Sequence, residues 1–224
     1  MTIRDWLEGL SYKLVQGSLD VEVNEVVYDS RKAAPGAVFV CMKGTKIDSH
    51  DFVGQVTDAG VKVLVTEHAV EAPADVTVVE TANGREALAL LSAARFGYPS
   101  RKLTMIGVTG TKGKTTTTHM IKTILETAGK KTGMIGTNGV YIGEEHFPTV
   151  NTTPESYDLH RYFAKMVEEG CACCVMEVSS QAMKMHRVAG IQFDYGLFTN
   201  ISPDHIGKDE HADFAEYLYY KKQL

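Results

Sequence analysis

Leu103-Thr104-Met105-Ile106-Gly107-Val108-Thr109-Gly110-Thr111-Lys112-Gly113-Lys114-Thr115 is the stretch on which the fold turns. Leu103 to Thr109 is a short apolar run rich in β-branched residues, the pattern of a buried strand. A turn with two glycines follows, then an apolar-periodic helix from about Lys114 to Ala128, closed by Gly129. Strand, glycine turn and helix in that order are the setting of a phosphate-binding loop. Gly110 and Gly113 let the backbone aim N–H groups at phosphate oxygens without a Cβ in the way. The helix N-terminus adds a partial positive charge. Lys114 is placed to reach the terminal phosphates of ATP, and the Thr115 hydroxyl can ligate Mg²⁺. The expected ATP-binding set is Thr109, Gly110, Thr111, Lys112, Gly113, Lys114, Thr115 and Thr116. The general loop pattern has a glycine five residues before Gly113; here Val108 stands there, so this is a variant loop.

Strands and helices alternate on both sides of the loop. Downstream, Lys131 to Gly136, Cys173 to Val178 and Tyr195 to Asn200 read as strands, with a helix from Asp158 to Glu169. Upstream, Val21 to Val26, Ala37 to Met42, Val61 to Thr66 and Val76 to Glu80 read as strands. Phe52 to Ala59 and Arg85 to Phe96 read as helices, the second capped by Asn83. Gly97-Tyr98-Pro99-Ser100 stops that helix and marks a boundary. The expected fold class is α/β: a small N-terminal α/β domain (1–99), then a domain (100–224) with a phosphate loop and a mostly parallel sheet flanked by helices. Asp213 to Leu224 is helical in pattern and carries no stop signal, so the chain is expected to continue beyond it.

Composition narrows the classes. The 224 residues are 44% hydrophobic and 23% charged, with a net charge of −5, enough apolar material for two cores. No basic cluster suggests nucleic acid, and no apolar run approaches the length of a membrane span. The N-terminus lacks the apolar stretch of a secretory signal. Cys41, Cys171, Cys173 and Cys174 lack the paired spacing of a zinc site and read as buried thiols of a cytoplasmic protein.

A phosphoryl-transfer site needs acids or metal ligands opposite its loop. Glu177 sits at the carboxyl end of an apolar strand, where burial is costly unless the carboxylate is paired or metal-bound. It reads as a Mg²⁺ ligand or a salt-bridged strand end. His205 follows the next strand and reads equally as a metal ligand, a phosphate-orienting group or a helix-start histidine. Lys221 on the last helix reads, by itself, as an exposed lysine.

Taken together these motifs resemble the Mur ligase family, the ATP-dependent ligases that add amino acids to the peptidoglycan precursor. Thr109-Gly110-Thr111-Lys112-Gly113-Lys114-Thr115, Asn151-Thr152-Thr153-Pro154, Met176-Glu177-Val178-Ser179-Ser180, His186-Arg187, Asn200 to His205 and the lysine near the end occur in the family's order. The early Asp29-Ser30-Arg31, Lys43-Gly44 and Asp48 to Phe52 are similar to the member that adds the third residue of the stem peptide. The resemblance covers essentially the whole chain and implies a third, C-terminal domain that these residues do not contain.

What the resemblance implies can be placed on this chain. Ser30 contacts the uridine nucleotide; Asn151, Thr152, Thr153, Ser179 and Arg187 hold the sugar–peptide part. Lys221 is the lysine that is carbamylated and joins Thr115, Glu177 and His205 as a metal ligand. Lys114, Glu177, His205 and Lys221 form the catalytic set. The substrates are UDP-N-acetylmuramoyl-L-alanyl-D-glutamate and a diamino acid, the cofactors ATP and Mg²⁺, and the location cytoplasmic; a monomer is the default expectation, since the sequence carries no reading of oligomeric state. Other readings are a different Mur-type ligase, a folylpolyglutamate synthetase relative, or a nucleotide-binding module without turnover. Two residues depart from the family pattern: Met185 where many relatives carry glutamine, and Ser49 in place of glycine.

Overall fold

The computed structural model describes residues 1–224 except 45, 46, 205, 208 and 209. The chain divides into two compact units, Met1–Arg95 and Phe96–Leu224.

The first unit contains α1 (Ile3–Trp6), β1 (Tyr12–Gln16), β2 (Glu25–Val27), β3 (Ala37–Val40), α2 (Val53–Asp58), β4 (Val63–Thr66), β5 (Thr77–Thr81) and α3 (Gly84–Arg95). Its sheet runs β1-β5-β4-β3-β2, with β1 antiparallel to β5 and the other neighbours parallel. β3 and β4 are buried along their whole length, so both read as continuous apolar runs. Asn83 caps α3 as expected, its Oδ1 accepting from the N–H groups of Arg85 (3.0 Å) and Glu86 (3.1 Å). The strand expected from Val21 is shorter. Ile3 N–H bonds to Val21 O and Val23 N–H to Met1 O, so this stretch is tied to the N-terminus and the ladder begins at Glu25. Serine at position 49 costs no backbone strain: among the described non-glycine residues only Tyr98 and His186 have positive φ. The Ser49 hydroxyl also takes both backbone groups of Met42.

The second unit contains β6 (Thr104–Thr109), α4 (Lys114–Thr127), β7 (Thr132–Gly136), β8 (Gly139–Ile142), β9 (Glu145–Phe147), α5 (Ser156–Glu168), β10 (Cys173–Glu177), α6 (Ser180–Lys184), β11 (Tyr195–Phe198) and α7 (Phe214–Lys221). Its sheet runs β11-β6-β10-β7-β8-β9. β11, β6, β10 and β7 are parallel; β8 and β9 add an antiparallel hairpin not anticipated from the sequence. One face packs Met105, Ile135 and Met176 with Leu159, Phe163 and Met166 of α5; the other packs Ile106, Val108 and Val175 with Ile121 and Leu125 of α4. The cysteines are buried free thiols, and burial pushes the Cys41 thiol up to about 12.

α7 ends at Lys221 rather than running through Leu224. The Leu224 side chain packs instead with Phe193 over Gly107, where a Cβ would lie 2.6 Å from Leu224 Cδ1. Among the described residues, no helix is long and apolar enough to cross a membrane. The register pairs Glu177 with Val108 and Phe198 with Thr109, so the carboxyl ends of β10, β6 and β11 lie side by side. In an open parallel sheet that edge is where ligands bind.

Candidate functional site

β6 ends at Thr109, and the backbone turns through Gly110 (φ 143°) and Gly113 (φ 84°) before α4 starts at Lys114. Position 110 admits only glycine. A Cβ there would lie 2.0 Å from Thr199 Oγ1 and 3.0 Å from Asn200 O. The close approach exists because the segment after β11 straps the loop. Thr111 N–H donates to Asn200 O (2.9 Å), Lys112 N–H to Asn200 Oδ1 (3.0 Å), and Asn200 Nδ2 returns a bond to Lys112 O (3.0 Å). Ser202 N–H donates to Thr111 Oγ1, which also lies 3.0 Å from the Tyr217 hydroxyl.

Two lysines converge on this loop. Lys114 Nζ donates to Gly110 O (2.9 Å) and Thr111 O (3.1 Å). Lys221 Nζ donates to Gly110 O at 2.7 Å and lies over the Tyr217 ring. Lys221 is only 2% exposed, so the reading of an exposed lysine fails. Burial, reinforced by the Lys114 ammonium, lowers its pKa to about 8 against the opposing charge of Asp204. Burial also lowers Lys114, with Glu177 and Asp204 opposing the shift. Two ammonium groups at the mouth of a glycine turn make a strongly anion-seeking site.

Glu177 is 1% exposed and carries no ion pair among the described residues. Its Oε1 accepts from Thr137 N–H (2.9 Å) and its Oε2 from the Thr137 hydroxyl (3.2 Å). Gly136 makes room for it: a Cβ there would lie 2.4 Å from Glu177 Oε1. A buried carboxylate with two neutral donors and no described cation partner has spare acceptor capacity. Its two carboxylate oxygens are hard donors of the kind Mg²⁺ takes.

Of the remaining expected residues, Thr152, Thr153, Ser179 and Arg187 connect to Glu177 through hydrogen bonds, directly, through Thr137 or through one another. Thr137 Oγ1 lies 3.1 Å from Thr152 Oγ1. Thr153 Oγ1 donates to Glu177 O and accepts from Ser179 N–H. Arg187 Nη1 donates to Thr153 O (3.1 Å), and Nη2 pairs with Glu155 at 2.7 Å. Ser179 caps α6, accepting from Ala182 N–H. Thr115 and Thr116 line the start of a groove along α4. Asn151 lines a separate hollow with Glu155. Ser30 lies in the first unit, in the 3₁₀ turn Ser30–Lys32 capped by Asp29. His205 lies outside the described residues. A cavity of about 200 Å³ is lined by Lys114, Lys221, Ser179, Ser180 and His211 among others.

Residues 108–224 match the Mur ligase middle domain, and residues 22–96 match the Mur ligase family, catalytic domain. The chain belongs to the Mur ligase family. A Mur ligase from Clostridium perfringens, the UDP-N-acetylmuramoyl-L-alanyl-D-glutamate--2,6-diaminopimelate ligase, is 45% identical over 224 residues, which is 100% of this chain and 46% of that protein. The ligase of the same name from Geobacillus thermodenitrificans is 45% identical over 208 residues, 93% of this chain and 41% of its own length. The chain thus spans about half the length of the curated relatives it matches. A solved ligase of that name superposes with a TM-score of 0.81 at 19% identity, over 99% of this chain and 44% of the other. MurF from Thermotoga maritima, solved in complex with ADP, superposes with a TM-score of 0.57 at 20% identity, over 90% of this chain and 42% of the other. Both show the Mur ligase fold.

Several residues around the site received no role in the sequence reading, although Asn200 and Ser180 lie within its motifs. Asn200 and Thr199 hold the loop from a distance of 88 and 87 positions. Gly136 and Thr137 follow β7 and seat the Glu177 carboxylate. Ser180 and His211, 31 positions apart, meet at 2.9 Å. The Asn200 signal was present, a polar residue ending an apolar strand, but its bonding partner was not readable. In the first unit, Asp48, His50 and His68 group closely enough for a metal. His50 Nδ1 is bonded to Asp48 (2.5 Å) and Nε2 accepts Glu67 N–H (2.9 Å), so both ring nitrogens already serve the fold.

Proposed function

We propose that this chain carries the nucleotide-binding part of an ATP-dependent ligase of peptidoglycan precursor synthesis. The ligase joins a diamino acid, meso-diaminopimelate or L-lysine, to the D-glutamate γ-carboxylate of UDP-N-acetylmuramoyl-L-alanyl-D-glutamate. The observation that carries this reading is the pair of ammonium groups, Lys114 and Lys221, bonded to one carbonyl, Gly110 O, inside a glycine loop. Residues 100–224 bind ATP and residues 1–99, through Ser30, bind the uridine nucleotide. Asn151, Thr152, Thr153, Ser179 and Arg187 take the sugar–peptide part; the Arg187 fork suits a carboxylate or a phosphate. The protein works as a cytoplasmic monomer.

In the reaction, the γ-carboxylate attacks the terminal phosphate of ATP and ADP departs. The resulting acyl phosphate is attacked by the amine, which releases phosphate. Lys114 neutralises charge on the transferring group, and the loop N–H groups hold the phosphates in place. Thr115, Glu177, His205 and a carbamylated Lys221 would hold Mg²⁺, which when bound supplies charge neutralisation at the phosphates. Lowering the pKa of Lys221 towards neutrality raises its free-amine fraction, the form that reacts with carbon dioxide.

The test measures ADP release by the gene product that carries this chain. Release is expected only when ATP, Mg²⁺, the UDP-muramoyl dipeptide and a diamino acid are all present. Release independent of the dipeptide, or none with all four present, overturns the reading. Because the chain spans about half of its relatives, the 224 residues alone are expected to bind ATP without turnover.

A further inference from the structure

The cavity beside Lys114 and Lys221 has one wall of opposite polarity. His211 is buried, and its Nε2 lies 2.9 Å from Ser180 Oγ. Its other ring nitrogen, Nδ1, lies 3.7 Å from the Glu216 carboxylate. Glu216 is held in turn: one oxygen accepts Ala212 N–H at 2.6 Å, and the other meets Lys184 Nζ at 2.9 Å. These bonds, the Ala212 N–H foremost, keep the Glu216 carboxyl below its usual range and therefore ionised.

A carboxylate on the Nδ1 side favours the tautomer with its proton on Nδ1. Nε2 is then an acceptor, and Ser180 must donate its own hydroxyl hydrogen to it. Ser180 is left facing the cavity as an acceptor. An acceptor repels phosphate oxygens and attracts an N–H group. The lysine side of the cavity fits an anion; the Ser180 side fits an amine.

We propose that Ser180 receives the incoming amine in the amide-forming step, and that His211 takes the amine's proton through it. This rests on the ligase reading above. The amine nitrogen attacks the acyl carbon and the C–N bond forms. The carbon–oxygen bond to phosphate breaks, and its electron pair leaves with the phosphate. A proton on the nitrogen passes to Ser180 Oγ while Ser180's hydrogen moves to His211 Nε2. The imidazolium so formed faces Glu216, with the rings of Tyr217 and Tyr220 packed at 5.4 and 5.7 Å. Among the described residues, the other charged groups of this wall are Lys184, paired with Glu216, and Glu210, which lines the same cavity as Lys114 and Lys221.

The two half-reactions separate this role from a structural one. Hydroxylamine is uncharged at neutral pH and traps an acyl phosphate as a hydroxamate without needing its proton removed beforehand. In the gene product that carries this chain, Ser180→Ala and His211→Asn are expected to form hydroxamate within about threefold of the unmodified protein. Amide formation with the diamino acid is expected to fall about 100-fold, the usual reach of general-base help. Ser180→Thr, which keeps the hydroxyl, is expected to recover most of it. Equal loss of both products in both variants, or no loss of amide in either, overturns the proposal. If the unmodified protein forms neither product, the ligase reading fails first and takes this inference with it.

Discussion

The Lys221 ammonium donates a 2.7 Å hydrogen bond to the carbonyl of Gly110, 111 positions earlier in the chain. That carbonyl also receives Lys114. Two like charges on one acceptor inside a buried site oppose folding while both lysines are protonated; the carbamylation proposed for Lys221 would remove one of them. Lys221→Met removes one buried charge at the cost of one hydrogen bond. It is expected to stabilise the folded chain by about 1 kcal/mol, seen as a higher melting temperature in calorimetry, while abolishing ligase turnover. A variant that loses stability and activity together would show that Lys221 is a structural lysine.

Gly136→Ala tests the seat of Glu177. The added methyl would fall 2.4 Å from Glu177 Oε1, so the carboxylate must swing off the Thr137 N–H. Overpacking of this kind costs about 1–3 kcal/mol. The sharper expectation concerns metal: stimulation of ATP binding by Mg²⁺, followed by titration calorimetry, should drop by about tenfold or more. Undiminished stimulation would remove Glu177 from the metal site.

Asn200 is the clasp of the phosphate loop, with one bond to each backbone group of Lys112. Asn200→Ala should weaken binding of a non-hydrolysable ATP analogue by about tenfold, the effect of one to two net hydrogen bonds. Asn200→Asp should be worse than Asn200→Ala, because it keeps one acceptor but puts a negative charge beside the phosphates. The reverse order would mean that the clasp acts on something other than the nucleotide.

His160 on α5 is fully buried against Phe163, and neither ring nitrogen has a hydrogen-bond partner among the described residues. Burial lowers its pKa from 6.5 to about 4. The unfolded chain therefore takes a proton near pH 6.5 that the folded chain refuses until about pH 4. Stability is complete above 6.5 and falls as pH drops through that window, by up to about 3 kcal/mol. Urea unfolding at pH 7, 5.5 and 4.5 should show the decline, and His160→Leu should flatten it. An unchanged slope in that variant would assign the acid sensitivity elsewhere.

Alternation of short apolar runs with helical periodicity was enough to read the parallel strands of both sheets and the loop between Thr109 and Thr115. What it missed was short or paired across the chain. β8 and β9 span four and three residues and alternate too little to register. β1 is a mostly exposed strand with no apolar face to reveal it. Glu177 was legible because a carboxylate in an apolar run is costly. His211 was not, because a histidine among acids and tyrosines resembles any solvated turn until Ser180 comes to meet it.

The sheet order also bears on how the molecule is made. β6 lies between β10 and β11, yet it leaves the ribosome well before either. Until Cys173–Glu177 and Tyr195–Phe198 have been synthesised, neither edge of Thr104–Thr109 has its final neighbour. Parallel partners of this kind close long loops and form slowly. The apolar strand that delivers the chain to its phosphate loop is thus a nascent segment with two open edges, and it is where a translating cell would need to guard against aggregation.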